Sequence, residues 1–460
     1  MMSLGKRERV PALTFYGGAG QIGGNKILLE DRDTKVFLDF GEPFHWKDQY
    51  FVDYLMPRDR CGLKDMFFFD LMPRIRGLYD EEWLECTDMK YEPPAFDAIF
   101  LSHMHFDHAM HIRYSDRKIP VHLGSAADKI RESWSTTGSS KVDFGEHDFI
   151  GFRTGSKVKI GPLEVEPVHV DHSVPGAYGF IIYTSEGAIV YTGDLRLHGP
   201  RSDMTKEFVR RAVEARPIAL ISEGTRVTDD DPREGLSERD VEERAKMLLA
   251  KSRRLGIVSF YPKDVDRMRT FRDVARATGR KFVVSTKVAH LLRALRGDSR
   301  ISVPDPMTDP NMLVYVRKLE RPLKWETELI SSFKSSDHLV DAEFVRKHQR
   351  DLILHTDFPQ LTELVDVCPE PGSIFIRSKS EPFEEDDAQD EVLMNWVDFL
   401  RLDFQQAHAS GHASMQEIFG MVREINPKHV VPVHTEHPEL FTRCSQNVHK
   451  PEPMKRFVLT

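Results

Sequence analysis

Three short apolar runs open the chain, around 11–16, 25–30 and 35–39, each bounded by charged or turn-forming positions, and they predict three strands. The segment Gly17-Gly18-Ala19-Gly20-Gln21-Ile22-Gly23-Gly24 between the first two reads as a turn. It is no dinucleotide fingerprint, because no helical periodicity follows the glycines. Residues 41–95 are irregular and rich in aromatics, Phe67-Phe68-Phe69 among them, and their pattern points to no role. Strand signals resume at 98–101, 163–170, 179–183, 188–191 and 218–221. After Glu223 the texture changes. Ser237, with Asp240 three residues on, caps a helix to about Arg253, and then strand 256–260, helix 264–277, strand 281–285 and helix 286–296 alternate. Such alternation predicts a parallel α/β unit with right-handed crossovers. Further on, the acidic run Glu384-Glu-Asp-Asp387 is expected to open a helix whose Leu393, Trp396, Val397 and Leu400 face a core. The last part carries the capping box Ser414-Met-Gln-Glu417, a helix to about Ile425, Pro427 as its stop, and strand 429–433 ending on His434.

Composition narrows the class. At 460 residues the chain has room for about three domains, or for one large domain with an insertion. With 40% hydrophobic and 30% charged residues it can bury a sizeable core, which excludes disorder as the main state. The uncharged stretch Ser173 to Ser185 is broken by Pro175 and two glycines and falls short of the roughly 20 residues a membrane span needs. The opening MMSLGKRERVPALT has no apolar centre, so no secretory signal and no membrane are expected. Cys61, Cys86, Cys368 and Cys444 form no CxxC pair, which fits a reducing cytoplasm and argues against a thiolate zinc site. The net charge of −9 excludes attraction of the whole molecule to nucleic acid. Residues 251–300, however, hold fourteen basic against four acidic residues, a local +10 that leaves −19 for the rest. Such a run is either a pair of solvated helix faces or a local surface for a polyanion.

The strongest chemical signal is Ser102-His103-Met-His105-Phe-Asp107-His108, directly after the apolar strand 98–101. Three imidazoles and a carboxylate supply donors suited to zinc or manganese. In an extended stretch His103 and His105 project to one side and can share an ion. Asp107 and His108, in the turn or helix that follows, can face a second. Four donors do not fill two sites, and further candidates stand at strand ends: His172, with His169 as its rival, Asp194 in Tyr-Thr-Gly-Asp, and His434.

HMHFDH, DHSVPGAYGF, YTGDL and a late PVH together resemble the metallo-β-lactamase superfamily. The acidic Glu223 in Ile-Ser-Glu-Gly-Thr, followed by an α/β insertion and two returning histidines, His412 in SGHAS and His434 in PVH, resembles its β-CASP branch and, within that, the ribonuclease J family and its archaeal members. The resemblance implies an αββα sandwich carrying an inserted β-CASP domain with a parallel sheet. Its division would be a first lactamase part over 1–225, the insertion over 226–405 and a returning lactamase part over 406–460. It implies RNA as substrate, because RNA-acting members carry His where His434 stands.

The resemblance also implies a mechanism. Two divalent ions, zinc or alternatively manganese, would be held by His103, His105 and His172 and by Asp107, His108 and His434, with Asp194 as bridge, and would activate a hydroxide. Asp39 would accept the far N–H of a ligand imidazole. His412, held by Glu223, would act as general acid or charge stabiliser beside the catalytic Asp107. Ser410, Gly411, His412, Ala413 and Ser414, at a helix N-terminus, would take a phosphate, consistent with 5′-to-3′ exonuclease action from a 5′ monophosphate. In the insertion, Lys263, Arg267 and Lys287 are the expected contacts to single-stranded RNA. A homodimer stays open. Two other readings compete: a small ester or thioester hydrolase on the same donors, and a non-catalytic RNA-processing scaffold.

Overall fold

The computed structural model describes residues 10–44, 48–52, 54–138, 142–231, 235–298, 300–318, 320–321, 323–333, 336–380 and 388–459. Three sheets build the molecule. The first holds, in spatial order, Arg456–Val458, Ala12–Gly17, Lys26–Asp31, Thr34–Phe40, Ala98–Phe100, Val121–Gly124 and Phe149–Phe152. It is antiparallel up to Thr34–Phe40 and parallel beyond. The second runs His429–Pro432, Ala219–Ser222, Ala188–Tyr191, Tyr178–Tyr183, Leu163–His169 and Val158–Ile160. Strand Leu163–His169 alternates buried Leu163 and Val165 with half-buried Glu164 and Glu166, as a strand near a sheet edge does, whereas Ala188–Tyr191 and Ala219–Ser222 are apolar runs buried throughout.

Leu13, Phe15, Ile27 and Phe100 of the first sheet meet Phe180, Ile182, Ile189 and Val431 of the second in one core between them. Helices Ser202–Ala215 and Met415–Ile425 cover the second sheet's outer face through Phe208, Val209, Ile418 and Val422. Helix Ser125–Thr137 covers the first through Ala126, Ala127 and Ile130. The result is the αββα sandwich of the metallo-β-lactamase fold. The segment 41–95, mute in sequence, contributes packing: Leu63, Met66, Phe67, Leu78, Tyr79 and Leu84 fill the same outer layer, while Phe68 stays exposed.

The third sheet is all parallel: Leu339–Val340, Met312–Tyr315, Lys281–Ser285, Leu352–His355, Gly256–Ser259, Ile374–Arg377 and Asp403–Gln406. Helices Glu238–Lys251, Val265–Ala277 and Thr286–Arg296 pack on one face, and the core they form is continuous with the outer layer of the first sheet. The insertion is therefore seated on the sandwich and not tethered beside it. Helix Ala388–Phe399 packs Leu393 and Val397 on the other face; the acidic run 384–387 lies outside the described residues. No helix among the described residues is long and apolar enough to cross a membrane.

Candidate metal centre

Every candidate donor emerges where a strand ends or just beyond. His103 and His105 follow Ala98–Phe100, and Asp107 and His108 sit on the one-turn helix Phe106–Ala109. His172 follows Leu163–His169, Asp194 follows Ala188–Tyr191, Glu223 follows Ala219–Ser222 and His434 follows His429–Pro432. The backbone is shaped for this convergence. Asp39 and His434 adopt φ of 58° and 53°, left-handed values that non-glycine residues rarely take and that cluster at functional sites. Gly41 passes so close to the Asp107 backbone that a Cβ there would lie 1.8 Å from the Asp107 carbonyl oxygen, so only glycine fits beneath the donor helix.

The donors fall into three groups that share Asp194. His103, His105, His172 and Asp194 form the first, Asp107, His108, Asp194 and His434 the second, and Asp194, Glu223 and His412 the third; within each, candidate ligand atoms lie within 4.8 Å of one another. In the first, His105 Nδ1 is 3.0 Å from His103 Nε2 and 3.1 Å from His172 Nε2. In the second, Asp107 Oδ2 is 2.9 Å from His434 Nε2, and Asp194 Oδ2 is 3.1 Å from His108 Nε2. Donors at zinc-nitrogen distance around one tetrahedral ion would stand ~3.3 Å apart, so the spacing fits a small divalent cation. His108 Nε2 and Asp194 Oδ1 are buried and make no hydrogen bond, which in a protein interior calls for a missing partner.

The far nitrogens are occupied. His108 Nδ1 donates to Asp39 Oδ2 at 2.8 Å, His172 Nδ1 to the Gly411 carbonyl at 2.7 Å and His434 Nδ1 to Thr225 Oγ1 at 2.8 Å, while His103 Nδ1 lies 3.0 Å from Ser102 Oγ. These contacts fix ring orientation and turn Nε2 inward. His169, the rival, stacks on Tyr178 outside every donor group.

The electrostatics match a cation site. Burial alone would disfavour an imidazolium at His108, yet Asp194, Asp107 and Asp39 hold its pKa well above the usual value. Burial likewise opposes ionised Asp194, but His108, His434 and His412 hold its carboxyl well below the usual range. His105 is pushed down to about 3 by burial and by Lys263, so it is a neutral donor.

Around Asp39 sit residues that sequence reasoning missed. Its carboxylate accepts Ser102 N at 2.7 Å, Ser102 Oγ at 2.8 Å and Tyr191 Oη at 2.6 Å besides His108, and Asn25 Nδ2 donates to Tyr191 Oη at 3.0 Å. Tyr191 stands within the YTGD motif itself, and Ser102 opens SHMHFDH; these positions were the available signal. Thr225, two residues after Glu223, is a further omission: its hydroxyl donates to Glu223 Oε2 at 2.7 Å. His412 Nδ1 donates to that same oxygen at 2.9 Å and lies 3.9 Å from Asp194 Oδ2. Among the histidines of the second and third groups, His412 is the exposed one, its side chain 20% open against 0% for His108 and 1% for His434.

Other expectations need correction. Arg267 does not line a cleft: its guanidinium is fully buried on Glu238, Ser378 and Ala409, as its place inside the joint between insertion and sandwich requires. Lys263 is buried too. Its Nζ donates to the Met104 carbonyl at 2.9 Å between the rings of Phe106 and Trp134, supporting the HMHFDH loop from below. Lys287 is exposed in the first turn of Thr286–Arg296. The loop 410–414 is not an open anion cradle either. Ser410 Oγ accepts His412 N, Ala413 N donates to the Leu195 carbonyl, and Ser414 is consumed by the Glu417 capping box, whose carboxylate already neutralises the helix N-terminus. Gly411 serves by fixing His172.

Two stretches of the chain match known protein families. Residues 67–254 match the beta-lactamase superfamily domain, and residues 400–442, which include His412 and His434, match the Zn-dependent metallo-hydrolase RNA specificity domain. Ribonuclease J of Sinorhizobium meliloti is 24% identical over 353 residues, covering 74% of this chain and 57% of that protein. Ribonuclease J of Mycobacterium tuberculosis is 23% identical over 437 residues, covering 92% of this chain and 68% of that protein. A protein of unknown function from Enterococcus faecalis shares the fold at a TM-score of 0.77, with 24% identity over 98% of this chain and 100% of the other.

Proposed function

We propose that this chain, a β-CASP protein of the metallo-β-lactamase superfamily similar to ribonuclease J, is a metal-dependent ribonuclease that hydrolyses RNA phosphodiester bonds. The observation that carries the reading is the sharing of Asp194 among three groups, two of them rich in imidazoles and carboxylates and the third completed by Glu223 and His412. His103, His105 and His172 would hold one divalent ion and Asp107, His108 and His434 another, with Asp194 between them. Such ions supply Lewis-acid activation of water near neutral pH and neutralise phosphate charge. The match to a Zn-dependent domain favours zinc over manganese.

The chain's own residues do the remainder. Glu223 fixes His412 through Nδ1, which leaves Nε2 as the nitrogen that gives a proton to the leaving oxygen. Thr225 couples the same carboxylate to His434, so acid and donor shell are oriented by one group. Asp39, Ser102 and Tyr191 hold His108 and exclude water behind it. On the resemblance to ribonuclease J, the reaction proceeds from a 5′-monophosphorylated end of single-stranded RNA toward the 3′ end, with internal cleavage as a secondary mode.

The test is incubation with one RNA labelled at either end and bearing a 5′ monophosphate, triphosphate or hydroxyl. Mononucleotide release from the monophosphorylated 5′ end, abolished by chelator and restored by zinc or manganese, is the expected result. Undiminished cleavage in excess chelator, or hydrolysis of small thioesters with intact RNA, overturns the proposal.

A further inference from the structure

Four of the charged side chains buried in the joint between the insertion and the sandwich form one connected set. Arg196 and Arg267 are wholly inaccessible, and Asp171 and Glu238 nearly so. Arg267 lies in the first turn of helix Val265–Ala277, inside the insertion. Its Nε and Nη2 donate to the two oxygens of Glu238 at 3.0 and 2.8 Å, its Nη1 to the Ser378 carbonyl at 2.8 Å, and its Nη2 also to the Ala409 carbonyl at 3.0 Å. Arg196 closes the other side, donating from Nη1 to Glu238 Oε1 at 3.3 Å and from Nε to Asp171 Oδ1 at 2.9 Å.

The ends of this chain of ion pairs are what matter. Asp171 immediately precedes His172, Arg196 stands two residues after Asp194, and Ala409 stands three residues before His412. One continuous set of charge-assisted bonds thus runs from the strand ends that carry two donors, through both helices flanking the insertion's first strand, to the loop that carries the candidate acid. Apolar packing could hold the two bodies together as firmly. What a bidentate guanidinium adds is direction, because its fork accepts one orientation of the carboxylate and carbonyls around it.

We propose that Arg267, through Glu238 and Ala409, is a positioning residue that sets the 408–413 loop against the donor cluster, so that seating of the insertion and correct placement of His412 are one event. The inference rests on the role given to His412 above; Arg267 itself is buried and contacts no candidate donor.

The experiment compares Arg267→Met, Arg267→Lys and the isosteric Glu238→Gln with the unmodified full-length chain. In Arg267→Met, kcat on RNA should fall about 10²-fold, the cost of a displacement near 1 Å, while KM and zinc content hold. Amide hydrogen exchange should quicken in the peptide spanning 407–414 and stay unchanged in strands Ala98–Phe100 and Ala219–Ser222. Arg267→Lys should recover part of both effects. Unchanged exchange at 407–414 in Arg267→Met and Glu238→Gln overturns the proposal, as does a fall in kcat matched by loss of zinc. Should Arg267→Met fail to fold, Glu238→Gln carries the same decision. Should the unmodified chain leave RNA intact, the nuclease reading fails, while the exchange comparison still decides whether Arg267 positions the loop.

Discussion

At the scale of single residues, the centre is decided by a few buried groups that each serve several neighbours. Asp39 is the extreme case, one carboxylate accepting from Ser102 N, Ser102 Oγ, Tyr191 Oη and His108 Nδ1. Tyr191→Phe removes one of these donors without changing shape. Because Tyr191 bonds Asp39 and not His108 itself, metal affinity should fall, but by less than the roughly 10- to 100-fold that loss of a direct hydrogen bond to a ligand costs, in competition titrations against a zinc chelator. Equal affinity would show that Tyr191 only fills space. His412 differs in kind, being partly open to solvent and bonded to Glu223. His412→Ala should keep the bound metal yet lose on the order of 10² to 10⁴ in rate, the range for a positioned proton donor. If metal content fell with the rate, His412 would be a ligand.

At the scale of elements, helix Val265–Ala277 shows how one end of a helix couples stability to pH. Asp264 caps it, its carboxylate accepting Arg267 N at 2.9 Å, and burial pushes its pKa up to about 7 despite the nearby Arg267. The fold therefore prefers this carboxyl neutral. A folded pKa raised above the unfolded value means a contribution fully present below about pH 4 and lost as pH rises through 7, with an upper bound on the order of 4 kcal/mol. Asp264→Asn keeps a capping oxygen and never ionises. Its thermal midpoint, measured by circular dichroism from pH 4 to 8, should gain on the parent chain as pH rises and exceed it above pH 7. Parallel pH curves for the two proteins would contradict this. Helix Met415–Ile425 illustrates the opposite economy of charge: Glu417 completes its capping box and also contacts His198 at 3.2 Å, which in turn lies 3.0 Å from the Ser410 carbonyl.

At the scale of the whole molecule, the basic stretch 251–300 is mostly internal wiring. Arg254 pairs with Glu370, Arg272 with Asp309 and Asp273, Arg296 with Asp305, and Arg280 bonds the Arg254, Leu249, Ser252 and Leu352 carbonyls. Lys287, exposed at the C-terminal edge of the parallel sheet, has no ion pair within 4 Å among the described residues, although Arg317 lies near enough to help burial lower its pKa. Lys287→Ala should therefore reduce the salt dependence of single-stranded RNA binding by about 0.7 in slope, the share of one neutralised phosphate. An unchanged slope would place the RNA elsewhere. Metal should also hold the molecule together, because the donors come from both sheets and from the returning segment. Removing it with chelator should lower the thermal midpoint by an amount equivalent to about 3 kcal/mol for metal present at 100 times its dissociation constant. A midpoint indifferent to chelator would mean that the donor cluster is preformed and binds nothing that matters to folding.

What the sequence alone determined is what depends on short range. A strand followed by His-x-His-x-Asp-His places donors by the two-residue period of extended chain and the turn after it, and alternating helical and strand periods already specify a parallel sheet. That Asp194 is shared among groups holding His103, Asp107 and His412 is no short-range matter, since residues up to 327 apart meet there, as Asp107 and His434 do, and the sequence supplied a bridging role for it only through the resemblance. Tertiary structure decided the rest. Arg267 reads in sequence as one more cation on a basic helix, and only the approach of Ala409, 142 residues away, turns it into the buried core of the joint. The amides of loop 410–414 read as free until Leu195 and the Glu417 cap claim them. Long side chains and backbone donors have many ways to be satisfied, and which one is realised depends on what packs against them from elsewhere in the chain; the direction of a short side chain at a strand end does not.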